Sequence, residues 1–265
     1  MSCVILKKEG HLATLTLNRP DNMNALGQTT DGDDFVAVCD DINADSNIRC
    51  AILTGSGRAF SAGGDLKAMQ ERTGGFAGGA ADIREGYKQG IHKIIKSLWN
   101  LEVPMVAAIN GHAVGLGNDI ATTADIRIAS AKAKFGATFV SIGLVPGDGG
   151  AWLLPRSIGR SRAAELFFTG DLIDADTALD WGLVSYVCPP EEVMDRVLEV
   201  AAKIMAKPPL PTRMTKRMMR EGDNGTLDNI LEMAASMQAI MHGTEDHAIA
   251  VDAVLNKKNA EYSGR

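Results

Sequence analysis

The sequence predicts an α/β fold that ends in an all-helical tail. Three observations carry this. Short apolar runs at 49–54, 103–109 and 126–130 have the length and content of buried strands. Amphipathic helical patterns lie between them, as in an α/β core. After about Val187 the strand-like runs stop and only helical patterns remain.

Taken in order, 4–7 and 11–17 alternate apolar and polar residues around Glu9-Gly10, the pattern of a β-hairpin. Phe35, Val38 and Ile42 share a helical face, and 49–54 follows as a strand. Tyr87, Ile91, Ile94, Ile95, Leu98 and Leu101 fit one face of a single amphipathic helix leading into the 103–109 strand. The segment 76–81, with Gly74, Gly75, Gly78 and Gly79, is too small to pack a core. It reads as a mobile loop, either a plain linker or a lid over a pocket.

In the tail, Val193, Val197, Val200, Ala201 and Ile204 lie at helical spacing, and Pro208, Pro209 and Pro211 break the chain. Leu227, Ile230, Leu231, Ala234 and Met237 form another stripe, with Thr226 placed as its N-cap. A shorter pattern covers 249–255. We place an α/β core at 1–200 and a helical region at 201–265. The stripes fit core packing. If the helices project from the core, they fit a subunit interface instead.

The 265 residues are 45% apolar and 23% charged, enough for one large domain with a full core. The formal net charge of −6 argues against sequence-independent binding to nucleic acid or to an anionic membrane. Cys3, Cys39, Cys50 and Cys188 show no CxxC spacing, and free thiols in a reducing compartment are expected. With neither a secretory leader nor an apolar run of membrane-spanning length, the expected location is the cytoplasm.

Several chemistries lack their motifs. No GxxxxGK[ST] occurs, no GxSxG, and no GxGxxG after a strand. His11, His92, His112, His242 and His247 are scattered and form no HExxH, so no metal site is expected. Chemistry must come from carboxylates, backbone dipoles or both.

Two glycine-rich turns suit the second source. One is Ala59-Phe60-Ser61-Ala62-Gly63-Gly64-Asp65-Leu66; the other is Asn110-Gly111-His112-Ala113-Val114-Gly115-Leu116-Gly117, after which a helix can open. Small residues let a ligand approach the backbone, and a helix start offers unpaired N–H groups to a developing anion. Alone, each turn also fits an ordinary structural loop. A third turn, Gly143-Leu144-Val145-Pro146-Gly147-Asp148-Gly149-Gly150, carries an acid, which in such turns often bonds its own backbone.

In this order and spacing the segments resemble the crotonase (enoyl-CoA hydratase/isomerase) family. Asn18-Arg19-Pro20 with Asn24-Ala25-Leu26 looks like its early substrate-binding stretch, and the two glycine-rich turns like its oxyanion-hole motifs. Ala124-Asp125-Ile126-Arg127, Lys134-Phe135-Gly136, Thr169-Gly170 and Trp181-Gly182-Leu183-Val184 continue the match over nearly the whole chain. The resemblance implies a crotonase-like spiral of ββα repeats with a C-terminal helical trimerisation region, assembled as a homotrimer or a homohexamer. It implies an acyl-CoA thioester as substrate and no cofactor beyond that coenzyme A. By position, the backbone N–H groups of Ala62 and Leu116 would hold the thioester oxygen. Ala25, Gly63, Gly64 and Asp65 would line the CoA path, with Arg19, Arg58 and Lys67 as candidates to meet its phosphates.

The match fails at the family's two catalytic glutamates. Asp119 stands at the first position and Phe139 at the second. Asp119 is one methylene shorter, and Phe139 transfers no proton. Asp148 is the substitute that the resemblance points to, because related isomerases use an aspartate in this turn. Phe139 then becomes a wall of the acyl pocket, suited to a bulky or aromatic acyl group. Two carboxyls facing one apolar pocket acquire separated pKa values. The resulting expectation is an enoyl-CoA hydratase, with Asp119 activating water and Asp148 helping with the proton. The alternatives are a double-bond isomerase, a hydratase or hydrolase of a bulky or cyclic acyl-CoA, and, in another class, a non-catalytic acyl-CoA-binding paralogue.

Overall fold

The computed structural model describes residues 2–265. β1 (Val4–Glu9) and β2 (Leu12–Leu17) form the predicted hairpin, antiparallel with Val4 opposite Leu17. α1 (Asp31–Ala44) turns Phe35, Cys39 and Ile42 inward. β3 (Cys50–Gly55) then runs parallel to β2. Its side chains alternate between two cores, Ala51 and Leu53 on one face and Cys50 and Ile52 on the other. A strand buried on both faces is apolar throughout, which is why 49–54 was legible.

α2 (Leu66–Glu71) follows, then α3 (Ala80–Gln89) and α4 (Ile91–Trp99). The stripe expected to be one helix is therefore two, broken at Gly90 (φ −101, ψ −91). α1 explains the break. A Cβ on its Gly32 would lie 2.5 Å from the Gln89 carbonyl oxygen and 2.6 Å from that of Gly90, so the backbone of the break is packed against α1. The glycine-rich stretch before α3 is no plain linker. Phe76 is buried, and its ring fills the space a side chain on Gly27 would need.

β4 (Met105–Ile109), β5 (Ala113–Val114), α5 (Leu116–Thr122), β6 (Ile126–Ser130) and β7 (Lys134–Gly136) come next. α6 (Gly150–Ile158), α7 (Arg160–Thr169), β8 (Leu172–Asp174) and α8 (Ala175–Asp180) lead to β9 (Tyr186–Cys188). The main sheet has the order β1-β2-β3-β4-β6-β9, and β5-β7-β8 form a smaller one. β2, β3, β4, β6 and β9 pair in parallel, so each connection crosses the sheet with a helix or a loop.

α9 (Val193–Met205) covers the far face, with Val193, Val197 and Ala201 packed against Cys50, Ile52, Val106, Ala108 and Ile128. Position 200, the expected end of the core, thus lies inside a helix that belongs to the sheet's second core. The three prolines open α10 (Pro209–Gly222) rather than only breaking the chain, because proline suits the first helical turn. Thr226 caps α11 (Leu227–His242) as expected, accepting from Asn229 N, and α12 (Glu245–Leu255) ends the fold. Leu227, Leu231, Ile240, Val254 and Leu255 along α11 and α12 are exposed. The apolar stripe is therefore not core within this chain. All four cysteines are free. Among the described residues, no helix is long and apolar enough to cross a membrane.

Candidate active site

Asn24 builds the first wall of the site. Its amide donates to the carbonyls of Ser56, Ala59 and Phe60, and its Oδ1 accepts from Arg19 N. That clamp fixes the turn ahead of Ser61. Ser61 bridges to Ala113 of β5, and a Cβ on Gly117 would strike the Ser61 carbonyl at 2.3 Å. Gly63 (φ 93) sits where any side chain would come within 2.5 Å of Val114 O and 3.2 Å of Leu116 N. Only glycine meets both demands, left-handed backbone and close approach. The two glycine-rich turns are thus pressed together, backbone to backbone.

Each turn leaves an unused donor at this contact. Leu116 opens α5, so its N–H has no partner inside the helix. Among the described residues, neither the Leu116 N–H nor the Gly64 N–H meets an acceptor. The Ala62 N–H is different, because it donates to the Met23 carbonyl at 2.9 Å. Ala62 was expected as an anion donor, and this bond removes it. Met23 adopts a left-handed conformation (φ 47), and a contact between segments so far apart is not visible in sequence spacing. Gly64 takes the place of Ala62 as the available donor.

Other expected residues have structural work. Asp65 caps α2, accepting from Lys67 N and Ala68 N at 3.0 Å, and also takes a bond from Asn22. Arg19 is tied to buried Asp31 and to the Ala25 carbonyl, so its guanidinium is already engaged within the chain. Ala25 is buried beside it. Arg58 and Lys67 remain on the surface. Phe139 is buried, with its ring about 4 Å from where a Cβ on Gly115 would stand, and so lies beside the start of α5. Beyond Gly64, the side chains of Leu66, Met69, Phe76, Tyr87, Ile142 and Leu144 line an apolar groove.

Asp119 and Asp148 do come together. Asp119 lies in the first turn of α5 with no exposed surface, and Asp148 precedes α6 with 4% exposed. Asp119 Oδ2 accepts the Gly150 N–H at 2.9 Å. Burial lifts the Asp148 pKa to about 7. Burial lifts Asp119 well above the ordinary range, and the negative charge of Asp148 lifts it further, against the opposing pull of the Gly150 bond and the neighbouring Asn118 amide. Asp119 thus carries two penalties on ionisation and Asp148 one. Asp148 ionises first, and Asp119 keeps its proton. Sequence reading missed the groups packed against the turn that carries Asp148. His92 Nε2 lies 2.9 Å from the Gly147 carbonyl, and the Tyr87 ring packs on Gly147.

A model of the family described as enoyl-CoA hydratase/isomerase matches residues 7–265. The chain belongs to that family. It is 38% identical over 97% of its length to a short-chain enoyl-CoA hydratase of Clostridium acetobutylicum, covering 96% of that protein. It is 32% identical to a 1,2-epoxyphenylacetyl-CoA isomerase of Escherichia coli, with both chains covered in full. A solved enoyl-CoA hydratase of Bacillus anthracis superposes with a TM-score of 0.92 at 30% identity, over 100% of both chains. The crotonase-type fold is therefore shared along the whole chain. Hydratases are thus among its relatives, one of them at 38% identity, and an isomerase at 32%.

Proposed function

We propose that this enzyme adds water reversibly to 2-enoyl-CoA thioesters. The observation that carries the reading is that Gly64 and Leu116 keep free N–H groups in two turns that meet at Gly63, with the buried carboxyl of Asp119 one turn further along α5 and Asp148 beside it. Two fixed donors favour the enolate oxygen that develops in the transition state over the neutral carbonyl. Asp148, ionised near neutrality, takes a proton from water as the oxygen bonds to C3. Asp119, protonated, delivers a proton to C2. This reverses the roles expected from family position, and the reason is the order of ionisation. Phe139 at the second carboxylate position, together with the apolar groove, supports a bulky or aromatic acyl group. The exposed apolar faces of α11 and α12 support a homotrimer or homohexamer. In this reading the partner is acyl-CoA, no further cofactor is used, and the location is the cytoplasm.

The test is hydration of crotonyl-CoA and cinnamoyl-CoA, followed by loss of the enoyl-thioester absorbance, in wild type and Asp148→Asn. Turnover that collapses in the variant supports the reading. Tight binding without hydration in the wild type overturns it. The second reading is double-bond isomerisation, favoured by one observation: Asp148 alone of the two acids has any exposed surface. Conversion of 3-enoyl-CoA without hydration of the 2-enoyl product selects it.

A further inference from the structure

Asn118 has no part in the chemistry described so far. It lies in the first turn of α5 with no exposed surface. Both polar atoms of its amide, Oδ1 and Nδ2, lack a hydrogen-bond partner, and so does Asp119 Oδ1. Among the described residues these are the only buried side-chain polar atoms so placed. Leaving such atoms unpaired is costly, and native interiors keep few of them. Here three belong to two consecutive residues at the catalytic carboxyl. The Asn118 amide approaches the Asp119 carboxylate closely enough to favour its ionised form, yet not in hydrogen-bond geometry.

The orphaned atoms match what a proton carrier needs. A carboxyl that alternates between acid and base requires a donor when ionised and an acceptor when protonated. Gly150 N–H serves only the first need, and it serves the other oxygen, Oδ2. A side-chain amide serves both, through Nδ2 to the carboxylate and Oδ1 from the acid, exchanged by a half-turn of its last torsion. The titratable group facing Asp119 is Asp148, with Tyr87 and His92 lying beyond it against Gly147. Asp119 Oδ1 makes no hydrogen bond to Asp148, and the Asn118 amide beside it brings both an unpaired donor and an unpaired acceptor.

We propose that Asn118 is a positioning residue that holds Asp119 in one orientation in both of its protonation states. The proposal rests on the reading of Asp119 as a proton carrier. Its test therefore has one arm that needs no turnover. In infrared difference spectra, the carboxylic C=O band of Asp119 is identified by its loss in Asp119→Asn. In Asn118→Leu, similar in shape but without polar atoms, that band moves to the higher frequency of an acid lacking a hydrogen-bond partner. The kcat on crotonyl-CoA falls roughly tenfold with KM unchanged, as expected for a misplaced acid. The pH profile of kcat changes its limb, which a merely structural role would not do. If Asn118→Leu does not fold, Asn118→Ala carries the same readouts. A folded variant with an unmoved band and a wild-type profile overturns the proposal. A moved band together with full activity in Asp119→Asn keeps the Asn118–Asp119 pairing and removes Asp119 from the chemistry instead.

Discussion

Asp119 and Gly150 are fitted to each other. The glycine N–H holds Oδ2 at 2.9 Å, and a Cβ on Gly150 would meet Oδ1 at 2.3 Å and Oδ2 at 2.5 Å. Gly150 is the first residue of α6, a position that alanine takes without strain. The need for glycine there is the space above the carboxyl, not the backbone angle.

Gly150→Ala therefore pushes the Asp119 carboxyl aside while leaving α6 intact. Misplacement of about 1 Å costs roughly a hundredfold in rate. We expect kcat to fall by about that factor with KM close to wild type. Circular dichroism should be unchanged. Equal kcat in the variant would show that the position of Asp119 does not matter to turnover.

In the proposed mechanism Asp148 sets the pH dependence. Its pKa is about 7 rather than near 3.8, because burial penalises the charge. As the base it must be ionised, so kcat/KM rises as pH rises through about 7 and falls on the acid side. Asp148→Asn should remove this limb along with most of the activity. A limb near pH 4 would place the working base in a solvated site, away from Asp148.

The Gly64 N–H is testable by substitutions that treat donor and space separately. A Cβ at Gly64 meets only the tip of Met69, at 2.6 Å, and that flexible side chain can move. Gly64→Ala should keep most activity. Gly64→Pro deletes the N–H, and loss of one such donor typically costs about 100- to 1000-fold in kcat. If both variants behave alike, shape rather than donation is what position 64 supplies.

The legible parts of the fold were the doubly buried strands and the capped helices. Cys50–Gly55 and Ile126–Ser130 carry their burial in composition, and Thr226 announces its helix by type. The break at Gly90 was hidden, since it comes from α1 crossing at Gly32, more than fifty residues earlier in the chain. The exposed stripe on α11 was readable as a stripe but not as a surface, because periodicity reports a face and not what covers it. Within the site, Asp119, Asp148 and Leu116 could be singled out by type and position, and the structure buries the two acids against each other and leaves the Leu116 N–H unpaired. Ala62 was misassigned because a single long-range bond to Met23 decides which N–H is free. Asn118 carried no sequence signal, since its interest lies in having no partner.

A buried lysine and its ion pair help to tie α10 to the end of the sheet. Lys216 Nζ reaches Asp125 Oδ2 at 2.7 Å and donates to the Val103 carbonyl at 2.7 Å. Arg220 adds a longer contact to the other Asp125 oxygen, at 3.5 Å. Burial lowers the Lys216 pKa to about 8 even with Asp125 beside it. Asp125→Asn removes the counter-charge and leaves the ammonium buried, which costs about 3 kcal/mol at the lower end of the usual range, because Asp125 is partly exposed. Lys216→Met removes the buried charge itself and fills the same space, so it should cost much less. Urea unfolding of both variants at pH 7 checks the order. A larger loss for Lys216→Met would mean that the hydrogen bond to Val103, not the ion pair, holds α10 to the end of the sheet.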